Sequence, residues 1–221
     1  MDRAATRLER DTSRGGLERG SWTAATGARG HRGTRPKGHC LVSTFVRSGA
    51  PAIRSPENLR AIVTEIAEKP AEWAESVRFD LSRRFYSRLR LDDSHEVWLI
   101  CWDIGQDTLL HDHGGSVGAF TVARGSLTED HGTLHRTGLR TRRHNAGDAV
   151  GFGADYLHNL VNVGTEPTVS IHAYSPPLRS MNFYCWLPSG MHHLRELPCD
   201  NPEPDTTALE SAAAALRGAA S

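Results

Sequence analysis

The sequence predicts an all-β sandwich or barrel with a short N-terminal helical segment and disordered tails. Three observations lead there. Short apolar or alternating runs recur between residues 86 and 187, the pattern of brief strands. Gly, Asn and Asp separate them as turn formers. No long helical pattern interleaves with them, which disfavours a parallel sheet and favours antiparallel pairing.

The elements follow in order. Ser55-Pro56-Glu57 opens a helix: Ser can cap it, Pro suits its first turn, and Glu faces its positive end. Leu59, Ile62, Val63 and Ile66 continue at helical spacing until Lys69-Pro70 breaks it. A second short helix is expected over Ala71 to Val77, with Trp73 and Val77 on one face. This prelude covers about residues 55 to 82. Tyr86 to Leu91 then alternates, and Val97 to Trp102 is a continuous apolar strand. Ala119 to Val122, Ala149 to Phe152, Leu157 to Val163, Val169 to Tyr174 and Asn182 to Leu187 complete the series. Asn201-Pro202-Glu203-Pro204-Asp205 reads as a linker. Ala208 to Ser221 is either a marginal helix or disordered.

Composition bounds the function. The 221 residues suffice for one domain, placed at 41–200, with extensions at 1–40 and 201–221. Lys and Arg number 26, as do Asp and Glu, so no global field selects nucleic acid or an acidic membrane surface. Residues 1–40 hold eight Arg among Gly, Thr and Ser, with no apolar periodicity. They are expected to be a disordered extension, or to lie upstream of the true start. Asp2, Glu9, Asp11 and Glu18 argue against a transit peptide. No aromatic interleaving marks the stretch for nucleic acid. No run approaches a membrane span, and no signal-peptide core is present. Cys40, Cys101, Cys185 and Cys199 lie far apart, as four reduced thiols of a cytoplasmic protein would. A monomer is expected.

Two motifs carry the chemistry. Gly105 and His111-Asp112-His113, with five residues between, form G-x5-H-x-H, and Gly125 stands twelve positions after His113. Gly147, Gly153, Asp155, His158 and Asn162 form G-x5-G-x-D-x2-H-x3-N. On a strand, His111 and His113 point to one face, and His158 on a later strand can supply a third nitrogen. H-x-H alone is weak, but the composite matches the two signature motifs of the cupin (jelly-roll) barrel. The second motif usually has P-x-G where this chain has Gly153-Ala154-Asp155. Many cupins also place a Glu ligand four or five residues after the second His, where this chain has Val117 and Gly118. Three neutral ligands would leave a divalent ion near +2, open to an anionic thiolate and dioxygen. Ligand type alone leaves iron and zinc both open.

Ser170, His172 and Tyr174 sit at i, i+2 and i+4, so they share a face. If that face is internal, Ser170 can bond His172, and His172 can orient the Tyr174 hydroxyl. The other reading is a polar, solvent-facing side of a strand. Ser175-Pro176 is a candidate cis peptide. His131, His135, His144, His192 and His193 are expected in loops.

These residues resemble cysteine dioxygenase, a mononuclear iron cupin, from about Pro70 to Pro177. Pro70-Ala71-Glu72-Trp73-Ala74, Tyr86-Ser87-Arg88, Cys101-Trp102, His111-Asp112-His113 and Ser170 to Pro177 occur in the family's order. The resemblance implies that His111, His113 and His158 hold Fe(II) and that Arg88, from the Y-x-R segment, binds the substrate carboxylate. A guanidinium fork suits that task. Tyr86 and Trp102 would line the pocket. Tyr174, supported by His172 and Ser170, would hydrogen-bond bound substrate or oxygen. The family's animal members join this Tyr to a Cys, whose position is Gly118 here, so no such crosslink can form.

The expected reaction adds both atoms of O2 to the sulfur of L-cysteine, giving cysteine sulfinic acid. One alternative is a 3-mercaptopropionate dioxygenase, which typically has Gln in place of Arg88. A non-catalytic metal-binding cupin sensor is another, which the Ser170, His172, Tyr174 row disfavours.

Overall fold

The computed structural model of the chain describes residues 52–135, 138–199 and 207–220. The expected Arg-rich extension and the 201–205 linker lie outside the described residues. Helix α1 spans Pro56–Ala67, with the Ser55 hydroxyl accepting from the Asn58 amide as its cap. The second expected helix is instead two 3-10 turns, Pro70–Glu72 and Ala74–Ser76. Each is too short to complete an α-helical ladder.

Among the described residues, eleven strands then form two antiparallel sheets. The first sheet holds β1 (Phe85–Leu91), β2 (Glu96–Trp102), β4 (Val117–Arg124), β7 (Ala149–Phe152) and β9 (Thr168–Ser175). Its order is β1-β2-β9-β4-β7. The second holds β3 (Leu110–His111), β5 (Ser126–Thr133), β6 (Arg140–Asn145), β8 (Tyr156–Val161), β10 (Ser180–Leu187) and β11 (Gly190–Pro198). Its order is β11-β10-β3-β8-β5-β6. Facing each other, the two sheets make the cupin jelly-roll barrel.

Alternation decides what each face does. On β2 and β9, Val97, Leu99, Cys101, Val169, Ile171 and Ala173 point outward. There they pack against Leu59, Val63, Ile66 and Trp73 of the helical prelude. The other parity, including Ile100, Trp102 and Tyr174, points between the sheets toward Phe120, Leu127 and Leu160. Burial on both faces explains why β2 reads as an unbroken apolar run from Val97 to Trp102. Helix α1 lies close: a Cβ at Gly151 would come within 2.7 Å of the Pro56 carbonyl oxygen. Each buried Leu, Val or Ile of α1 contributes about 1.5–3 kcal/mol.

Three expectations need correction. His131 lies on β5 and His144 on β6, and His144 is buried. His192 and His193 lie on β11. Strands β5 and β6 are polar because one face meets solvent and the other carries a buried polar network, and β11 has no buried residue, so no apolar run marks them. His135 does fall in a turn. The Ala-rich segment forms helix α2 over Thr207–Ala220, so its disordered alternative does not hold. Leu209 and Ala213 are buried, and Ala213 packs with Cys185 and Leu187 of β10. Cys101 and Cys185 are free thiols, and the Ser175-Pro176 bond is cis.

Candidate metal centre

Three buried histidines converge between the sheets. His111 ends β3 and pairs in register with His158 of β8. Strand β3 is only two residues long, so His113 is not on a strand as expected. It sits in the turn that follows, where Gly114 and Gly115 take positive φ and the Ser116 amide bonds back to the His113 carbonyl. A ligand nitrogen from each ring still lies within 4.8 Å of the other two.

Each ring is held differently. The His111 Nδ1–H donates to the Leu109 carbonyl at 2.9 Å. Leu109 itself has φ of 58°, the left-handed region that side chains disfavour. His158 Nδ1 meets Glu129 Oε1 at 2.7 Å. Neither nitrogen of His113 has a hydrogen-bond partner, although both are buried. Orphaned buried nitrogens are rare and costly, and a metal ion would satisfy one of them. With Nδ1 engaged on His111 and His158, Nε2 of each is left for the centre. The residues fit a metal.

Electrostatics agrees. Burial first, then neighbouring charges, push His111 and His113 well below the usual imidazole range. Both are therefore neutral at pH 7, the form a ligand must take. Burial opposes ionisation of Glu129, but hydrogen bonds from His144 and His158 and nearby charges outweigh it. Its carboxyl is held below the ordinary range. Glu129 is wholly buried and receives His158, Tyr156, His144 and Arg142 at 2.7–2.8 Å.

The β9 row faces the same interior. Trp102 Nε1–H donates to Ser170 Oγ at 2.8 Å, and Ser170 Oγ lies 2.8 Å from His172 Nε2. His172 Nδ1 is 3.4 Å from Tyr174 Oη. Burial drops the His172 pKa to about 3, so the ring is neutral, with one donor and one acceptor nitrogen. Trp102 can only donate, so a Ser170 proton directed at Nε2 satisfies every buried group. That leaves the hydrogen on Nδ1, facing Tyr174 Oη, and frees the phenol proton for the cavity. Burial, then Glu96, keeps that phenol protonated by raising its pKa.

A cavity of about 70 Å3 opens beside His111, His158, His172 and Tyr174. Tyr86 lines it, and Trp102 packs behind it. Arg88 does not reach its wall. The Arg88 side chain is 48% exposed, its guanidinium over Trp98 and 3.9 Å from Glu96. Arg84 lines the cavity instead and is only 7% exposed. Its Nε donates to Tyr86 Oη at 2.6 Å, and its guanidinium lies 5.4 Å from the Trp102 ring.

Sequence reasoning missed Arg84 and Glu129. The signal was parity: Arg84 stands two residues before Tyr86, and Glu129 stands two after the core residue Leu127. Position 118 is closed to any side chain. Gly118 pairs with Tyr174 across the sheet, and a Cβ there would lie 2.4 Å from Phe152 Cζ. Phe152 fills that space and stacks on His113 with centroids 4.7 Å apart.

The family model described as Cysteine dioxygenase type I matches residues 50–185. The chain belongs to the cysteine dioxygenase type I family. Curated members similar to it include Cysteine dioxygenase type 1 of Rattus norvegicus, 31% identical over 137 residues. That of Homo sapiens is 30% identical over the same length. Each match covers 55% of this chain and 65% of the relative, so the similarity spans just under two thirds of those proteins. A solved cupin superfamily protein from Desulfitobacterium hafniense DCB-2 aligns at 11% identity and a TM-score of 0.40. That alignment covers 49% of this chain and 91% of the other. All three ligand candidates, Tyr86, Arg88, Trp102 and the Ser170, His172, Tyr174 row fall within the stretch matched to the cysteine dioxygenase type I model.

Proposed function

We propose that this protein is a thiol dioxygenase that oxidises L-cysteine to cysteine sulfinic acid, with Fe(II) held by His111, His113 and His158. The observation that carries the proposal is the buried three-histidine cluster opening onto a small cavity faced by Tyr174. Iron, when bound, supplies the activation of dioxygen and the affinity for thiolate sulfur.

The chain's own residues bind, orient and exclude water. The guanidinium groups flanking Tyr86 hold the substrate carboxylate, Arg84 from the cavity wall and Arg88 from its rim. The Tyr174 hydroxyl, set by Ser170 and His172, donates to bound substrate or oxygen. Leu160 and Phe183 close the cavity against water, which strengthens these polar contacts.

Oxygen uptake and product mass from Fe(II)-loaded protein test the reading. Uptake with L-cysteine above that with 3-mercaptopropionate is expected, with a product heavier by two oxygen atoms. No uptake with any thiol would overturn it. Arg88→Ala should raise KM for L-cysteine roughly 10- to 100-fold, the loss expected for a charged hydrogen bond, with iron content unchanged. The same change in Arg84→Ala, with Arg88→Ala silent, would assign the carboxylate to Arg84 alone.

A further inference from the structure

We propose that Glu129 is a positioning residue for the metal centre. Its buried carboxylate fixes the His158 ring with the proton on Nδ1 and sets a negative charge beside that one ligand. This role rests on the three histidines holding a metal ion.

The geometry leaves the carboxylate one arrangement. Oε1 is 2.7 Å from His158 Nδ1 and accepts from Tyr156 Oη at 2.8 Å. Oε2 accepts from Arg142 Nε at 2.7 Å and lies 2.8 Å from His144 Nε2. An ionised carboxylate offers about four acceptor sites and no donor. It can therefore face Nδ1 only if Nδ1 carries the hydrogen, which leaves Nε2 for the metal.

The barrel builds this contact. Glu129 pairs with Leu160 on β8 and with Arg142 on β6, while His158 pairs with His131. Glu129 and His158 are thus diagonal neighbours on the inner face, within reach of each other. Tyr156 precedes His158 by two residues, on the same face.

The other two ligand candidates lack such a partner. His111 leans on a neutral carbonyl, and His113 has no partner. A carboxylate behind a ligand histidine raises its basicity. The three nitrogens are therefore unequal donors, with His158 the strongest. The fourth-ligand carboxylate that Val117 and Gly118 cannot provide is replaced by one a single imidazole away from the metal.

Equilibrium Co(II) binding to the full chain, followed by its visible absorption, tests this. Glu129→Gln should weaken Co(II) binding about 10- to 100-fold and shift the absorption bands. Tyr156→Phe and Arg142→Gln each remove a donor but spare the link to His158, so both should bind Co(II) near wild type. Wild-type affinity and spectrum in Glu129→Gln would overturn the role. Equal losses in all three variants would also overturn it, since the network would then act through stability alone. Should Glu129→Gln not fold, the nitrogen chemical shifts of His158 in the metal-free wild type decide. A proton on Nδ1 supports the role, and one on Nε2 overturns it. If the wild type itself takes up no Co(II), the metal reading fails and the role with it. Tight wild-type binding with an indifferent Glu129→Gln sinks the role alone.

Discussion

Gly118 shows how much one absent Cβ can determine. The Phe152 ring stands where a side chain at 118 would go. Gly118→Ala should therefore lower the unfolding midpoint, at about 1–3 kcal/mol for overpacking. Gly118→Ala combined with Phe152→Leu should recover part of the loss; no recovery would mean that another contact is responsible. The sequence marked Gly118 as a missing ligand and a missing crosslink partner. It could not show that Phe152 fills the gap, because that contact joins β4 to β7. His172 sets a second expectation. Its folded pKa of about 3 lies below the ordinary imidazole value of about 6.5. Between those values the unfolded chain binds a proton that the folded chain does not. His172's contribution to stability is thus complete above about pH 6.5 and falls as pH falls, by about 1.4 kcal/mol per unit. His172→Gln should flatten the fall in urea midpoint between pH 6.5 and 4 by about one proton. An unchanged slope would show that other groups carry the acid sensitivity.

At the scale of elements, legibility followed burial. Strands β2, β7, β9 and β10 were readable because apolar residues fill at least one face. Strands β5, β6 and β11 were not, since Thr128-Glu129-Asp130-His131 and Arg140 to Asn145 look like loop. The inner face of β5 and β6 carries the Glu129 network in place of a row of aliphatic side chains. The β9 row was readable only as a shared face; its direction was set by α1 covering the opposite side. Helix α1 was legible from its cap and spacing, but its seat on β4, β7 and β9 was not. Leu59 is fully buried there, so Leu59→Ala should cost about 2–5 kcal/mol. Ser55→Ala loses only the cap and should cost about 1 kcal/mol. Equal midpoints in chemical denaturation would show that α1 does not hold the outer face of the sheet.

At the scale of the described residues as a whole, α1 packs on the first sheet and α2 packs against β10 and β11 of the second. Both helix contacts are sealed by aliphatic packing. The buried polar side chains His111, His113, His158, Glu129, Ser170 and His172 are gathered between the sheets. The ligand histidines were legible at long range because their spacing is a property of the chain. The cavity wall was not, because Arg84, Glu96 and Phe183 meet there from distant positions.

One wall has a further consequence. Cys199, just past the end of β11, lines the cavity, yet it lies beyond residues 50–185, the stretch matched to the family. A substitution at Cys199 alters that wall and leaves His111, His113 and His158, which lie on other elements, where they are. The cavity wall and the histidine cluster are therefore separable by substitution.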